Sequence, residues 1–222
     1  MVRLVSSTIL IGALAGAVIG GLGGRLVMRI LFLTTGDEVK GLQSDDGFTI
    51  GQFTLSDTIG LVIVTAFLGI VAALLLLAAR PFVVRFGAFA TPAMAVFYGV
   101  VGGALLVKPD GVDFTVLEPA LLAIALFVLI FALFGAVVSY FVNRAAVENS
   151  WAQRRSWWLL GPPLLALALP PMLLVALVAA LLQFGDTASR GWRVTRAGAL
   201  ATMGSIFSLA VVNLVDDAMA LI

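Results

Sequence analysis

The sequence predicts an all-α integral membrane protein: one polytopic domain, a bundle of six transmembrane helices with a small outer loop or β-hairpin. Three observations predict it. Of 222 residues, 62% are hydrophobic and only 11% charged, where a soluble domain carries about 25% charged residues. Mean hydropathy is +1.15. Apolar stretches of about 20 residues, the length that crosses a bilayer, recur along the chain, with the charges gathered between them.

The first stretch covers residues 4–33. Its start, with Arg3 ahead of an apolar run to Gly24, imitates a secretory signal, but the run continues through Arg25 and Arg29 to Leu33 without a clear cleavage site, so it reads as a span. Gly12, Gly16, Gly20 and Gly24 recur every fourth residue in it and make a smooth stripe on one helix face. Small residues let a second helix approach closely in lipid, where packing drives association. The stripe fits packing within the bundle, a homo-oligomer interface or a pore lining.

Residues 34–57 form the longest polar segment and are expected outside. Asp46-Gly47 is a tight-turn pair between two arms, 39–43 and 48–53, that partly alternate apolar and polar residues, as a hairpin would. The second span, 58–79, follows Thr54-x-x-Asp57, a capping-box pattern in which the hydroxyl satisfies exposed helix amides and the carboxylate suits the positive end of the dipole. The third, 88–107, carries its own small-residue stripe at Ala95, Gly99 and Gly103. The fourth, 119–142, follows Thr115-x-x-Glu118, a second capping-box pattern. Phe53–Asp57 and Phe114–Glu118, together with the glycines upstream of each, suggest that helices one and two are duplicated as three and four.

The fifth span, 157–184, is interrupted by Pro162-Pro163 near its start and by Pro170-Pro171 near mid-membrane. Proline removes a backbone donor and clashes with the preceding turn. A kink is therefore expected at Pro170 and Pro171, either structural or opening a cavity where freed carbonyls find other partners. The sixth, 197–215, leads to Asp216-Asp217, expected at a cytoplasmic helix end near Arg3, Arg80 or Arg144. Trp151, Trp157, Trp158 and Trp192 suit the membrane–water interface.

With six spans both termini lie in the cytoplasm. Arg3, Arg80, Arg85, Arg144, Arg154 and Arg155 then fall inside, and Lys40, Lys108, Arg190, Arg193 and Arg196 outside, a small positive-inside bias. Arg25 and Arg29, one turn apart, reach the outer boundary, about 32 Å along the first helix at 1.5 Å per residue. They can snorkel to lipid headgroups, pair with Asp57 and Glu118 at similar depth, or hold an anion or lipid phosphate. A charge in hydrocarbon costs about 2.5–3.5 kcal/mol on insertion scales, so the expectation is an outer charge cluster of Arg25, Arg29, Asp57 and Glu118.

The chain has neither cysteine nor histidine. That removes disulfides, thiolate chemistry, the commonest zinc ligand and the usual general base. No catalytic residue, metal site or cofactor is expected, and a net charge of +1 gives no bulk attraction to nucleic acid.

The stretch Gly24-Arg25-Leu26-Val27-Met28-Arg29, followed by 41–54, GLQSDDGFTIGQFT, resembles multi-pass membrane proteins of actinobacteria for which no activity is known. The resemblance covers roughly the first third of the chain. It implies a bacterial plasma membrane and no particular reaction. Three classes stay open: a non-enzymatic scaffold or accessory subunit whose partners are the lipid bilayer and a second copy or another membrane protein; a small-solute or lipid-handling transporter with a cavity at the broken fifth helix; and a membrane enzyme. A polar mid-membrane cavity would separate the first two.

Overall fold

Among the described residues, five long helices run back and forth between the two ends of the bundle. The computed structural model describes residues 2–36, 39–43, 54–147, 150–154, 161–169, 172–173, 175–179 and 190–221. The helices are α1 (Val2–Thr35), α2 (Leu55–Val83), α3 (Ala90–Leu106), α4 (Ala120–Ala145) and α5 (Arg190–Leu221). Four helical stretches are long and apolar enough to cross a membrane: Val2–Thr35, Leu55–Leu106, Ala120–Ala145 and Ala197–Leu221. The second of these holds both α2 and α3. It folds back through the 3-10 turn Val84–Phe89, where Gly87 takes φ +55°, a left-handed conformation glycine reaches without a Cβ penalty.

Helix directions follow from which residues meet. Gly12 of α1 lies against Gly69, Gly16 against Thr65 and Gly21 against Val62 of α2, so the two are antiparallel. Gly135 of α4 meets Met94 and Tyr98 of α3, while Gly103 meets Val128, so this pair is antiparallel too. Phe207 of α5 stacks on Phe97 of α3, ring centroids 6.1 Å apart, and Leu214 reaches Gly103. Helices α5 and α3 therefore run parallel.

Two apolar clusters mark the ends. The first joins Val5, Val83, Ala90, Val142 and Ala145, with Ala152, Met172, Ala176 and Ala179. The second joins Leu31, Phe32, Val39, Val107, Phe114, Leu117 and Ile124, with Leu214 and Leu221 of α5 against it. Ser6, Ser7 and Thr8 are all fully buried at the start of α1. Successive helix residues point about 100° apart, so α1 is enclosed on several sides there. Ser7 and Thr8 donate to the carbonyls of Arg3 and Leu4, at 2.7 and 2.8 Å, and so stay satisfied without a partner helix.

Several expectations need correction. The described termini, Val2 and Leu221, lie at opposite ends of the bundle rather than together, because α5 runs in the direction of α1 and α3. The segment expected as the fifth span starts beside the first cluster, and α5 departs from that same end. Its described part packs Met172, Ala176 and Ala179, at helical spacing, into the first cluster. Pro170 and Pro171 lie outside the described residues. Asp216 and Asp217 sit in the last turns of α5, at the end opposite Arg3, Arg80 and Arg144. Of the expected hairpin, Lys40 and Gly41 form a turn, with the Leu42 amide donating to the Val39 carbonyl at 3.3 Å, and Gln43 makes a β-bridge. Val39 is buried in the second cluster. The other arm, 48–53, lies outside the described residues.

Candidate functional site

Among the described residues, α1 and α2 make a close backbone-to-backbone contact. A Cβ on Gly12 would stand 2.5 Å from the Gly69 carbonyl oxygen and 2.7 Å from the Ala73 Cβ. One on Gly16 would run into the Thr65 carbonyl, and one on Gly69 into the Gly12 carbonyl. Two backbones are thus in direct contact along this seam. A Cβ on Gly20 would also be close, 3.0 Å from the Thr65 Cβ. One on Gly24 would not, meeting the Leu61 side chain at 3.8 Å.

The seam departs from four-residue spacing for a local reason. Gly16–Leu22 is π-helical, and i→i+5 bonding widens the turn, so the position beneath Gly16 falls between Gly20 and Gly21. Gly21 therefore also joins the contact, and a Cβ on it would stand 2.8 Å from the Val62 side chain. Opposite the seam, Leu14, Val18, Leu22 and Leu26 remain exposed, an apolar face suited to lipid.

The α3–α4 contact uses glycine differently. Gly102 receives the Phe131 ring, Gly103 the Val128 side chain and Gly135 the Tyr98 side chain and the Met94 carbonyl. A Cβ on Gly99 would stand 3.1 Å from the Ala132 Cβ, and Ala95 is half-buried on the same helix. The Tyr98 hydroxyl donates to the Ala72 carbonyl of α2 at 2.7 Å, pinning the two arms of the α2–α3 hairpin together.

Polar side chains gather at both ends. At the first end Arg80 Nε donates to Asn143 Oδ1 at 3.2 Å, and Asn143 Nδ2 to Ser139 Oγ at 3.4 Å. This ties the end of α2 to the end of α4. At the second end the Thr35 hydroxyl accepts from the Glu118 amide at 2.9 Å and lies 3.0 Å from the Glu118 carbonyl, docking the 107–119 connection onto the end of α1. A cavity of about 410 Å3 opens beside it, lined by Pro109, Phe114, Thr115, Glu118, Pro119 and Leu221 among others.

The four residues expected as an outer charge cluster all lie toward the second end of the bundle. Arg25 turns inward: its Nε and Nη2 are covered by protein atoms. Arg29 is exposed, with its Cζ 5.4 Å from the Phe32 ring centroid, within the range of a cation–π contact. Asp57 occupies the first turn of α2, where its amide donates to Thr54 Oγ1 and its Oδ1 accepts from Ser56, each at 3.4 Å. The Glu118 carboxylate is exposed at the rim of the cavity.

Of the two expected capping boxes, Thr54 caps α2 through its hydroxyl, while Thr115 does not cap α4. That helix begins at Ala120 after Pro119, and Thr115 Oγ1 donates back to the Gly111 carbonyl at 2.9 Å. Proline pushes the residue before it into extended backbone, so Glu118 cannot serve in the first turn. Gly69, Gly102 and Gly135, and the Arg80–Asn143 pair, were not singled out from sequence. A glycine facing a glycine across two helices leaves no periodic signal on the second helix.

Charge divides along the bundle. Arg3, Arg80, Arg85, Arg144 and Arg154, and the helical positions Arg190, Arg193 and Arg196, lie at the first end, with Arg25, Arg29, Lys40 and Lys108 toward the second. Asp57, Asp110, Glu118, Asp216 and Asp217 lie at the second end. Among the described residues no group of three or more metal-ligating side chains occurs. Set against family models, curated proteins and solved structures, the chain matches none of them.

Proposed function

We propose that the chain is a non-enzymatic multi-pass protein of a bacterial plasma membrane, of the actinobacterial kind it resembles, acting as a scaffold or accessory subunit. The observation behind this reading is the α1–α2 seam. Carbonyls of one helix sit where any Cβ of the other would be, which gives the bundle a rigid spine. Helix α5, by contrast, is barely covered: 6% of its apolar window is buried. A rigid core with one lightly held apolar helix suits a protein that is itself held by another membrane protein or by a second copy. Photo-crosslinking from Leu209, exposed on α5, tests it in native membranes. A discrete protein adduct that is lost on Gly16→Leu is expected; adducts to lipid alone would overturn the reading.

The orientation that fits best puts the arginine-bearing end in the cytoplasm. With α5 parallel to α1, Arg190, Arg193 and Arg196 join the cytoplasmic set, and the near-balance that six spans imply becomes an excess of basic residues inside, with Arg25, Arg29, Lys40 and Lys108 left outside. The N-terminus is then inside and the C-terminus outside, and the described helices cross five times instead of six. Alkaline phosphatase fused after Ile222 should be active, and a fluorescent protein there dark. The opposite pattern restores an even number of crossings.

A transporter remains a second reading because of one observation, the π-helical stretch Gly16–Leu22 in mid-span. Such insertions frequently mark functional sites. Solute counterflow in proteoliposomes, abolished by substitutions at Gly20 or Gly21 without loss of folded protein, would favour it.

A further inference from the structure

We propose that the arginine-bearing end of the bundle, including the projecting start of α5, binds anionic phospholipid headgroups. The proposal rests on the cytoplasmic orientation of that end. Register supplies the depth. Phe207 stacks on Phe97, so Leu200 is level with Ala90, the first residue of α3. Helix α5 starts ten residues earlier, at Arg190. About 15 Å of helix, at 1.5 Å per residue, therefore extends past the level at which α3 begins.

Arg190, Arg193 and Arg196 recur at three-residue intervals along this extension. At the level of Ala90 the turn before α3 carries Arg85 beside Phe86 and Phe89, which are 52% and 74% exposed. Arg3, Arg144 and Arg154 lie at the same end, and the nearby acidic residues in sequence are Glu148 and Asp186. A guanidinium matches a phosphate with two parallel hydrogen bonds. Each basic residue near an anionic surface strengthens binding about fivefold.

The test uses the full-length protein in nanodiscs of equal parts phosphatidylglycerol and phosphatidylcholine. Wild type is compared with the triple variant Arg190→Gln, Arg193→Gln, Arg196→Gln and with the double variant Lys40→Gln, Lys108→Gln at the other end. Lipids retained on release from the disc are counted by native mass spectrometry. Phosphatidylglycerol should be enriched on wild type, depleted by about fivefold for each arginine removed, and unchanged in the lysine variant. Equal retention of the two lipids by wild type, or equal loss in both variants, overturns the proposal. If the triple variant unfolds, salt gives the same contrast. Enrichment on wild type should vanish in 1 M sodium chloride, where the Debye length is about 3 Å; persistence overturns the proposal. The phosphatase fusion reads the orientation separately, so failure there and failure of lipid binding are distinct results.

Discussion

The two helix pairs, α1–α2 and α3–α4, both rely on small residues, yet they use them in opposite ways. Along α1–α2 the space left by glycine is filled by the partner's backbone: Gly69 and Thr65 present carbonyls to Gly12 and Gly16. Along α3–α4 it is filled mostly by side chains, above all the Phe131 ring at Gly102, with the Met94 carbonyl at Gly135 the main backbone approach. Backbone cannot step aside without breaking its own helix, whereas a ring can rotate or be replaced. Glycine spacing thus reports that something comes close and is silent about whether that something can yield.

The largest effect should follow Gly16→Leu, whose side chain enters the Thr65 backbone. Overpacking costs about 1–3 kcal/mol where side chains can adjust and more where they cannot, so a loss above about 3 kcal/mol is expected in mixed-micelle unfolding. Near-wild-type stability would erase the contrast between the pairs. Gly102→Ala should cost about 1–3 kcal/mol, and Phe131→Leu in the same chain should restore at least half. Absence of rescue would mean that the second pair is as rigid as the first.

Tyr98→Phe comes next. It strips the hydroxyl from the Ala72 carbonyl across the α2–α3 hairpin. Hydrogen bonds between membrane helices average about 0.6 kcal/mol and reach about 1.7, so a fall within that range is expected by the same unfolding assay. The smallest effect belongs to Gly24→Ala. With Leu61 at 3.8 Å the added methyl finds ordinary contact, and replacing a helical glycine by alanine gains up to about 1 kcal/mol. A marked loss at Gly24 would show that the seam extends further along α1 than its geometry indicates.

Some of the candidate site was legible in advance. Gly12, Gly16 and Gly20 announced a close contact by their spacing, and Thr54 announced a helix start by its distance from Asp57. Gly21 did not, because a π-helical turn changes the period at which residues line up, and nothing in Gly16–Leu22 signals that turn. Thr115 carried the same pattern as Thr54 but sat ahead of Pro119, whose effect on Glu118 overrides the capping box. Arg25 and Arg29 share a face and were expected to act together. One turn of difference suffices to cover Arg25 with protein and leave Arg29 over Phe32.

Sequence by itself determined that this is a helical membrane protein and where its first four long helices run. Apolar stretches of this length have no other stable setting: in lipid, backbone amides and carbonyls must be satisfied within the segment, and a helix does so without reference to anything beyond itself. The direction of α5, the depth of Arg190, Arg193 and Arg196, and the division of charge between the two ends were decided only by tertiary structure. Hydropathy has no sign along the membrane normal. The contacts of Phe207 on Phe97 and Leu214 on Gly103, made between residues more than a hundred positions apart, supply that sign.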